Sequence, residues 1–182
     1  LIRVHILVRY GIIILFLCKA SYHQRAKQIM GIEIEKKFLV NTLPENLDPG
    51  IDICQGYLVN TPEKVVRVRI KGDKGFLTIK GRPEGRVRPE YEYVIPKTDA
   101  QEMLKRFCDG RIVEKTRQTC LYEGMIWEID QFSGTSQGLV VAEIELSSPD
   151  QAFSVPPWAG PEVTDDPRYL NANLVKFPYR HW

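Results

Sequence analysis

Between His23 and His181 the chain has no histidine; its three imidazoles are His5, His23 and His181. Ser/His/Asp hydrolases, His-ligated zinc enzymes and Cys/His proteases all need an imidazole within the fold, so none of these classes is encoded. The four cysteines, Cys18, Cys54, Cys108 and Cys120, are scattered without a Cys-x-x-Cys pair, which removes a zinc ligand set. They read as reduced thiols of a cytoplasmic protein. There is no Gly-x-x-x-x-Gly-Lys loop, so phosphate is not held in the P-loop manner. Long apolar runs are missing as well. Gly11 to Cys18, bracketed by Arg9 and Lys19, falls well short of the roughly 20 residues that a spanning helix needs. Carboxylates, lysines and arginines are what remain for chemistry.

At 182 residues, 43% hydrophobic and 26% charged, the chain suits one globular domain with a real core. Its formal net charge of +2 is misleading. Residues 1–29 hold five basic residues and no acid, which leaves 20 basic against 23 acidic residues in the remainder, a net of −3. A slightly acidic body is not the footprint of a general nucleic-acid binder. Residues 1–29 read as a doubtful N-terminal leader. Arg3, Arg9 and the apolar residues 11–17 allow a signal peptide, but no small-x-small cleavage site follows. The expectation is that translation begins at Met30 and that residues 30–182 form the working domain.

What is present is charge sorted by strand. Glu33/Glu35, Arg67/Arg69, Thr78/Lys80, Glu90/Glu92, Lys115/Arg117, Glu128/Asp130 and Glu143/Glu145 each stand two residues apart, and in all but Lys115/Arg117 an apolar or aromatic residue lies between the two. Alternate residues of a strand share a face, so one face is charged and the other is buried. Acids and bases on separate strands suit a polyanion held through divalent cations on one side and directly by cations on the other, as a triphosphate would be. Strands are expected at residues 32–40, 54–59, 65–71, 75–80, 91–95, 112–120, 125–132 and 139–147, with tight hairpins at Gly72 to Lys74 and Glu123–Gly124. A helix is expected to open at Thr98 with a capping box to Gln101, another at Ser148, and a last one to run from Asp166 through Val175. Tyr91, Tyr93 and Trp127 are expected as core beneath helices, and Pro89 places the start of its strand at an edge or bulge. About eight strands without βαβ alternation predict an α+β domain with an antiparallel sheet.

The ordered series GIEIEKKFLV, QGYLV, RVR, LTIKG, RPEYEY, VEKTR, WEID and AEIEL, closing in PPWAGPEVTDDPRYLNANL, resembles the CYTH superfamily of triphosphate tunnel metalloenzymes, and most closely its short bacterial inorganic triphosphatases. The resemblance implies an eight-stranded antiparallel β-barrel, a tunnel with a charged lumen, covered outside by a few helices. It implies a metal-binding set in Glu33, Glu35, Glu128, Asp130, Glu143 and Glu145, hard oxygen ligands for Mg²⁺ or Mn²⁺. Lys37, Arg67, Arg69, Lys80, Arg88, Lys115 and Arg117 resemble the phosphate-binding set, with Lys37 and Lys115 as catalytic candidates. Glu90 and Glu92 are left between metal ligation and ion pairing, with pairing favoured for at least one. The implied activity is metal-dependent hydrolysis of inorganic triphosphate to pyrophosphate and phosphate. Class IV adenylate cyclase, thiamine triphosphatase and a non-catalytic polyphosphate or nucleotide sensor are the alternatives. The partner is a small-molecule triphosphate, with no nucleic acid or membrane; a homodimer is compatible with the pattern.

Overall fold

The computed structural model describes residues 34–82 and 89–182, so the expected leader lies outside the described residues. Nine strands form one antiparallel sheet: β1 (Ile34–Val40), β2 (Ile51–Asn60), β3 (Val65–Lys71), β4 (Lys74–Lys80), β5 (Glu90–Ile95), β6 (Ile112–Tyr122), β7 (Met125–Phe132), β8 (Val140–Leu146) and β9 (Ala159–Glu162). Their spatial order is β5-β4-β3-β2-β6-β7-β8-β1-β9. Eight of these are the expected strands. The ninth, AGPE, is too short and too rich in Gly and Pro to carry an alternating pattern, and it pairs with the outer side of β1 around Phe38 and Val40.

The hairpins form for the expected reasons. Glu123 and Gly124 both have positive φ, 46° and 80°, the backbone of a two-residue type I′ turn that aligns Tyr122 with Met125. Gly72, with φ 59°, takes the first central place of the turn between Lys71 and Lys74. As Pro89 suggested, β5 is an edge strand, hydrogen-bonded only to β4.

Period-2 alternation sorts β1, β3, β7 and β8 into an inner charged face and an outer, mostly apolar face, and two separate covers bury apolar parts of the outer face. Helix α1 (Lys97–Phe107) lays Ala100 and Leu104 on Val68 of β3 and on Cys54 and Leu58 of β2. The approach is close enough that a Cβ on Gly56 would stand 2.6 Å from the Cys108 sulfur, so only glycine fits there. The outer side of β1, β7 and β8 is covered by an extended segment instead. Trp127, fully buried, meets Phe38 at 5.5 Å, Trp158 at 5.4 Å and Phe153 at 6.0 Å between ring centroids, all edge-to-face.

Several expected elements differ. No helix starts at Ser148: residues 147–150 make bends and a turn, and the irregular segment that follows seats Phe153 and Trp158. The α1 helix begins after Pro96 with no side-chain cap, so Thr98 lies inside the first turn and its capping box does not form. The last helix is split into a 3₁₀ turn at Pro167–Tyr169 and the four-residue α2 (Asn171–Leu174). Trp127 is core as expected, but Tyr91 and Tyr93 remain 40% and 43% exposed, because β5 meets the α1 cluster at Ile95, the far end of the strand. No helix among the described residues is long and apolar enough to cross a membrane.

Candidate functional site

The inner faces of seven strands meet in one cavity. Glu35 and Lys37 from β1, Ile53 and Gln55 from β2, Arg67 and Arg69 from β3, Lys80 from β4, Glu90 and Glu92 from β5, Lys115 and Arg117 from β6, and Glu143 from β8 all line a space of about 240 Å³. Strands β5 and β1 lie at distant places in the sheet order, yet Glu90 and Glu35 share this cavity, so the sheet must curl strongly. Among the described residues no backbone hydrogen bonds join β5 to β9 or β1. The expected tunnel is thus a curled, nine-stranded sheet whose edges are not sealed by hydrogen bonds.

One wall, β6-β7-β8-β1, is a continuous ion-pair network. Lys37 Nζ donates to Glu143 at 2.6 Å and pairs with Glu35 at 2.8 Å. Arg117 donates to Glu143 at 2.7 Å, to both oxygens of Asp130 at 2.6 Å, and to Glu128. Lys115 donates to Asp130, and that pair is almost wholly removed from water. Burial pushes the Glu143 carboxyl up, but Lys115, Lys37 and Arg117 overcome it and hold it down at about 2. For Lys115 burial wins over the attraction of Asp130, and the ammonium is lowered. For Lys37 burial loses to Glu143 and Glu35, and its pKa is raised.

The facing wall, β3-β4-β5, is poorer in acid. Arg67 and Arg69 lean on the same carboxylate, Glu92, at 3.3 Å and 2.9 Å, and Thr78 donates to it at 2.6 Å. Lys80 pairs with Glu90 at 2.8 Å. Both of the acids left open by the sequence reading are therefore ion-paired. The Nε atoms of Arg67 and Arg69 are buried without a hydrogen-bond partner. A buried donor costs about 1–3 kcal/mol when unmet, so both guanidinium groups of this wall keep unmet donor capacity.

Of the sequence-predicted site residues, Glu33 and Arg88 lie outside the described residues. The structure brings Glu35, Lys37, Arg67, Arg69, Lys80, Lys115, Arg117 and Glu143 around the cavity. Glu128 and Glu145 stand at its mouth, where an open space of about 680 Å³ shares Glu35, Arg117 and Glu143 with the cavity. Asp130 is fully buried behind Lys115 and Arg117 and does not line the cavity. Beyond the charged belt the inner face turns apolar. Leu39, Tyr57, Val113, Phe132 and Val141 pack on Leu174 and Val175 of the α2 region, closing that end. Gln55 and Asn171 also line the cavity, and sequence reasoning missed both. Gln55 had a signal, since it shares the inner parity of Ile53 and Tyr57; Asn171 had none, because it comes from a turn outside the sheet.

The carboxylates suit a hard divalent cation. Glu35 stands directly opposite Glu145, and Glu128 directly opposite Glu143, across antiparallel pairs. Like charges in that register repel, and a cation between them relieves the repulsion. Among the described residues no three carboxylates already converge as a metal cluster. Glu143 is held by Lys37 and Arg117 instead, so ligation would have to loosen those ion pairs.

A curled antiparallel sheet with acidic and basic walls facing one cavity, plugged by apolar side chains at one end, defines a protein built to take in a small, highly charged anion. The chain belongs to the CYTH domain family, whose model matches residues 31–173. It is 49% identical over 154 residues to an inorganic triphosphatase of Acetivibrio thermocellus, covering 84% of this chain and 99% of that protein. It is 42% identical over 147 residues to an inorganic triphosphatase of Nitrosomonas europaea, covering 79% and 96%. A crystal structure of an inorganic triphosphatase superposes with a TM-score of 0.63 at 42% identity, covering 79% of this chain and 93% of that one. The family implies a divalent metal.

Proposed function

We propose that this protein hydrolyses inorganic triphosphate to pyrophosphate and phosphate with Mg²⁺ or Mn²⁺, in the cytoplasm, where its described cysteines stay unpaired. The observation that carries the reading is that Arg67 and Arg69, each with an unpartnered buried Nε–H, line one cavity together with Glu35 and Glu143 of the acidic wall. The similarity to inorganic triphosphatases supports the choice of substrate.

Arg67, Arg69 and Lys80 bind the phosphoryl oxygens, and Glu35, Glu143 and Glu145, with Glu128 in support, hold the cation. Asp130 acts from behind by fixing Lys115 and Arg117. A bound divalent cation supplies polarisation of phosphoryl oxygens and a more acidic water. Water adds its oxygen to the terminal phosphorus and gives up a proton to solvent, the anhydride P–O bond breaks, and pyrophosphate leaves; solvent later returns a proton to Lys115. Lys37, Lys115 and Arg117 stabilise the charge that develops on the transferred and leaving groups. Lys115, lowered by burial, is the proton donor to the leaving oxygen.

Purified protein incubated with Mg²⁺ or Mn²⁺ and separately with inorganic triphosphate, ATP and thiamine triphosphate tests the reading. Phosphate release should be fastest from inorganic triphosphate. Cyclic AMP as the main product from ATP would assign a cyclase instead, and tight triphosphate binding without turnover would assign a sensor.

A further inference from the structure

We propose that Asn171 is a further substrate-binding residue, placed at the closed end of the cavity to receive the free terminal phosphoryl group of the anion. This rests on the function proposed above. Asn171 is the only contribution to the described cavity lining from outside the sheet. Its carboxamide Oδ1 is buried and has no hydrogen-bond partner, the same condition as the Nε groups of Arg67 and Arg69 that line the same space. Unmet polar atoms on three residues that line one cavity point to a polar occupant of it, because buried polar groups in a folded protein are otherwise paired. A carboxamide offers an acceptor or, rotated half a turn, two N–H donors. Presented as donors, these meet a phosphoryl oxygen where the guanidinium groups also reach.

The backbone around Asn171 is held firmly enough to position a ligand group. Leu174 is fully buried and Val175 nearly so, both against the apolar inner residues of five strands. Asn60 Nδ2 ties the carbonyl of Ala172 to the end of β2 at 2.7 Å, and Asn173 Nδ2 ties back to the carbonyl of Pro167 at 2.7 Å. Asn171 itself takes part in neither of these side-chain ties. Its side chain is thus free for the cavity while its neighbours hold the segment. With the apolar plug behind Asn171, an anion entering past Glu35, Glu128 and Glu145 brings its leading phosphoryl group toward this residue.

The test compares wild type with Asn171→Asp and Asn171→Ala in steady-state hydrolysis of inorganic triphosphate, and in calorimetric binding of triphosphate without metal. The KM should rise at least tenfold in Asn171→Asp and severalfold in Asn171→Ala, with kcat within threefold of wild type and metal-free binding weakened in parallel. A triphosphate esterified at both ends has no free terminal phosphoryl; it should bind weakly to wild type, and Asn171→Ala should leave that binding unchanged. Unaltered KM and binding of inorganic triphosphate in both variants overturn the proposal. So does an equal weakening toward the free and the doubly esterified anion, which would mark Asn171 as merely structural. Should Asn171→Asp melt below the assay temperature, Asn171→Ser carries the same comparison. Wild type without triphosphatase activity would defeat the proposed function instead, and metal-free binding would still report on Asn171.

Discussion

The two walls of the cavity differ in charge and in how far that charge is satisfied. On the β6-β7-β8-β1 wall, Lys37, Lys115 and Arg117 face Glu35, Glu128, Asp130, Glu143 and Glu145, three cations to five carboxylates. On the β3-β4-β5 wall, Arg67, Arg69 and Lys80 face Glu90 and Glu92, three cations to two. Between them runs β2, whose inner residues Ile53, Gln55 and Tyr57 carry no charge. The acidic wall has excess carboxylate for a cation, and the basic wall has donors left over for an anion. A metal–polyanion complex is complementary to both at once, which neither wall alone would be.

Removing the surplus acid should break this division most severely. The double variant Glu35→Gln, Glu145→Gln is expected to lose about 10³-fold in metal-dependent kcat/KM, since a bound cation supplies several kcal/mol of charge stabilisation. Activity within threefold of wild type would move the metal elsewhere. Asp130→Asn should cost about 3–5 kcal/mol of stability by stranding two buried cations, read from denaturant midpoints. A cost below about 1 kcal/mol would mean that water reaches this pair.

On the opposite wall, Arg69→Ala should lower kcat/KM by about 10²-fold with an intact melting curve, as loss of a preorganised charge-stabilising donor does. Equal loss of stability and activity would refute the division of labour. Acid sharpens it further. Glu143 is held at about 2 in the folded protein against an ordinary 4.5, so its contribution is full above pH 4.5 and is lost as pH falls toward 2. The expected loss is on the order of 2–3 kcal/mol, measurable from chemical denaturation at successive pH values. Glu143→Gln should flatten that part of the profile. The smallest effect belongs to Glu92→Gln, which loosens Arg67 and Arg69 and should tighten metal-free triphosphate binding about two- to fivefold by calorimetry. Weaker binding would show that Glu92 orients the guanidinium groups rather than competing for them.

The strands and their inner faces were legible in the sequence because alternation is a local signal. The Arg67/Arg69 and Glu143/Glu145 doublets each declare which residues share a side, and a curled sheet needs nothing more to bring them together. What closes the cavity was not legible. The α2 segment is four residues long, too short for a helical period, and Asn171 reaches the cavity through tertiary packing of Leu174 and Val175. The cover over Trp127 was misjudged for a related reason. Ser148, Pro149 and Gln151 carry helix-start chemistry, but Phe153 and Trp158 gain more by packing on Trp127 and Phe38 from an irregular segment, and burial of aromatic surface outweighs a weak propensity. Tyr91 and Tyr93 alternate like core residues, yet nothing in their own strand could announce that the α1 cluster would meet β5 at Ile95 instead.

The apolar plug of Leu39, Val113, Phe132, Val141 and Leu174 has a kinetic consequence. With one end plugged, the product formed nearest the plug has the longer way out, so the two products should leave in a fixed order. Added singly to the steady-state reaction, orthophosphate and pyrophosphate should then give different inhibition patterns, one of them alone competing with the incoming anion for the unoccupied enzyme.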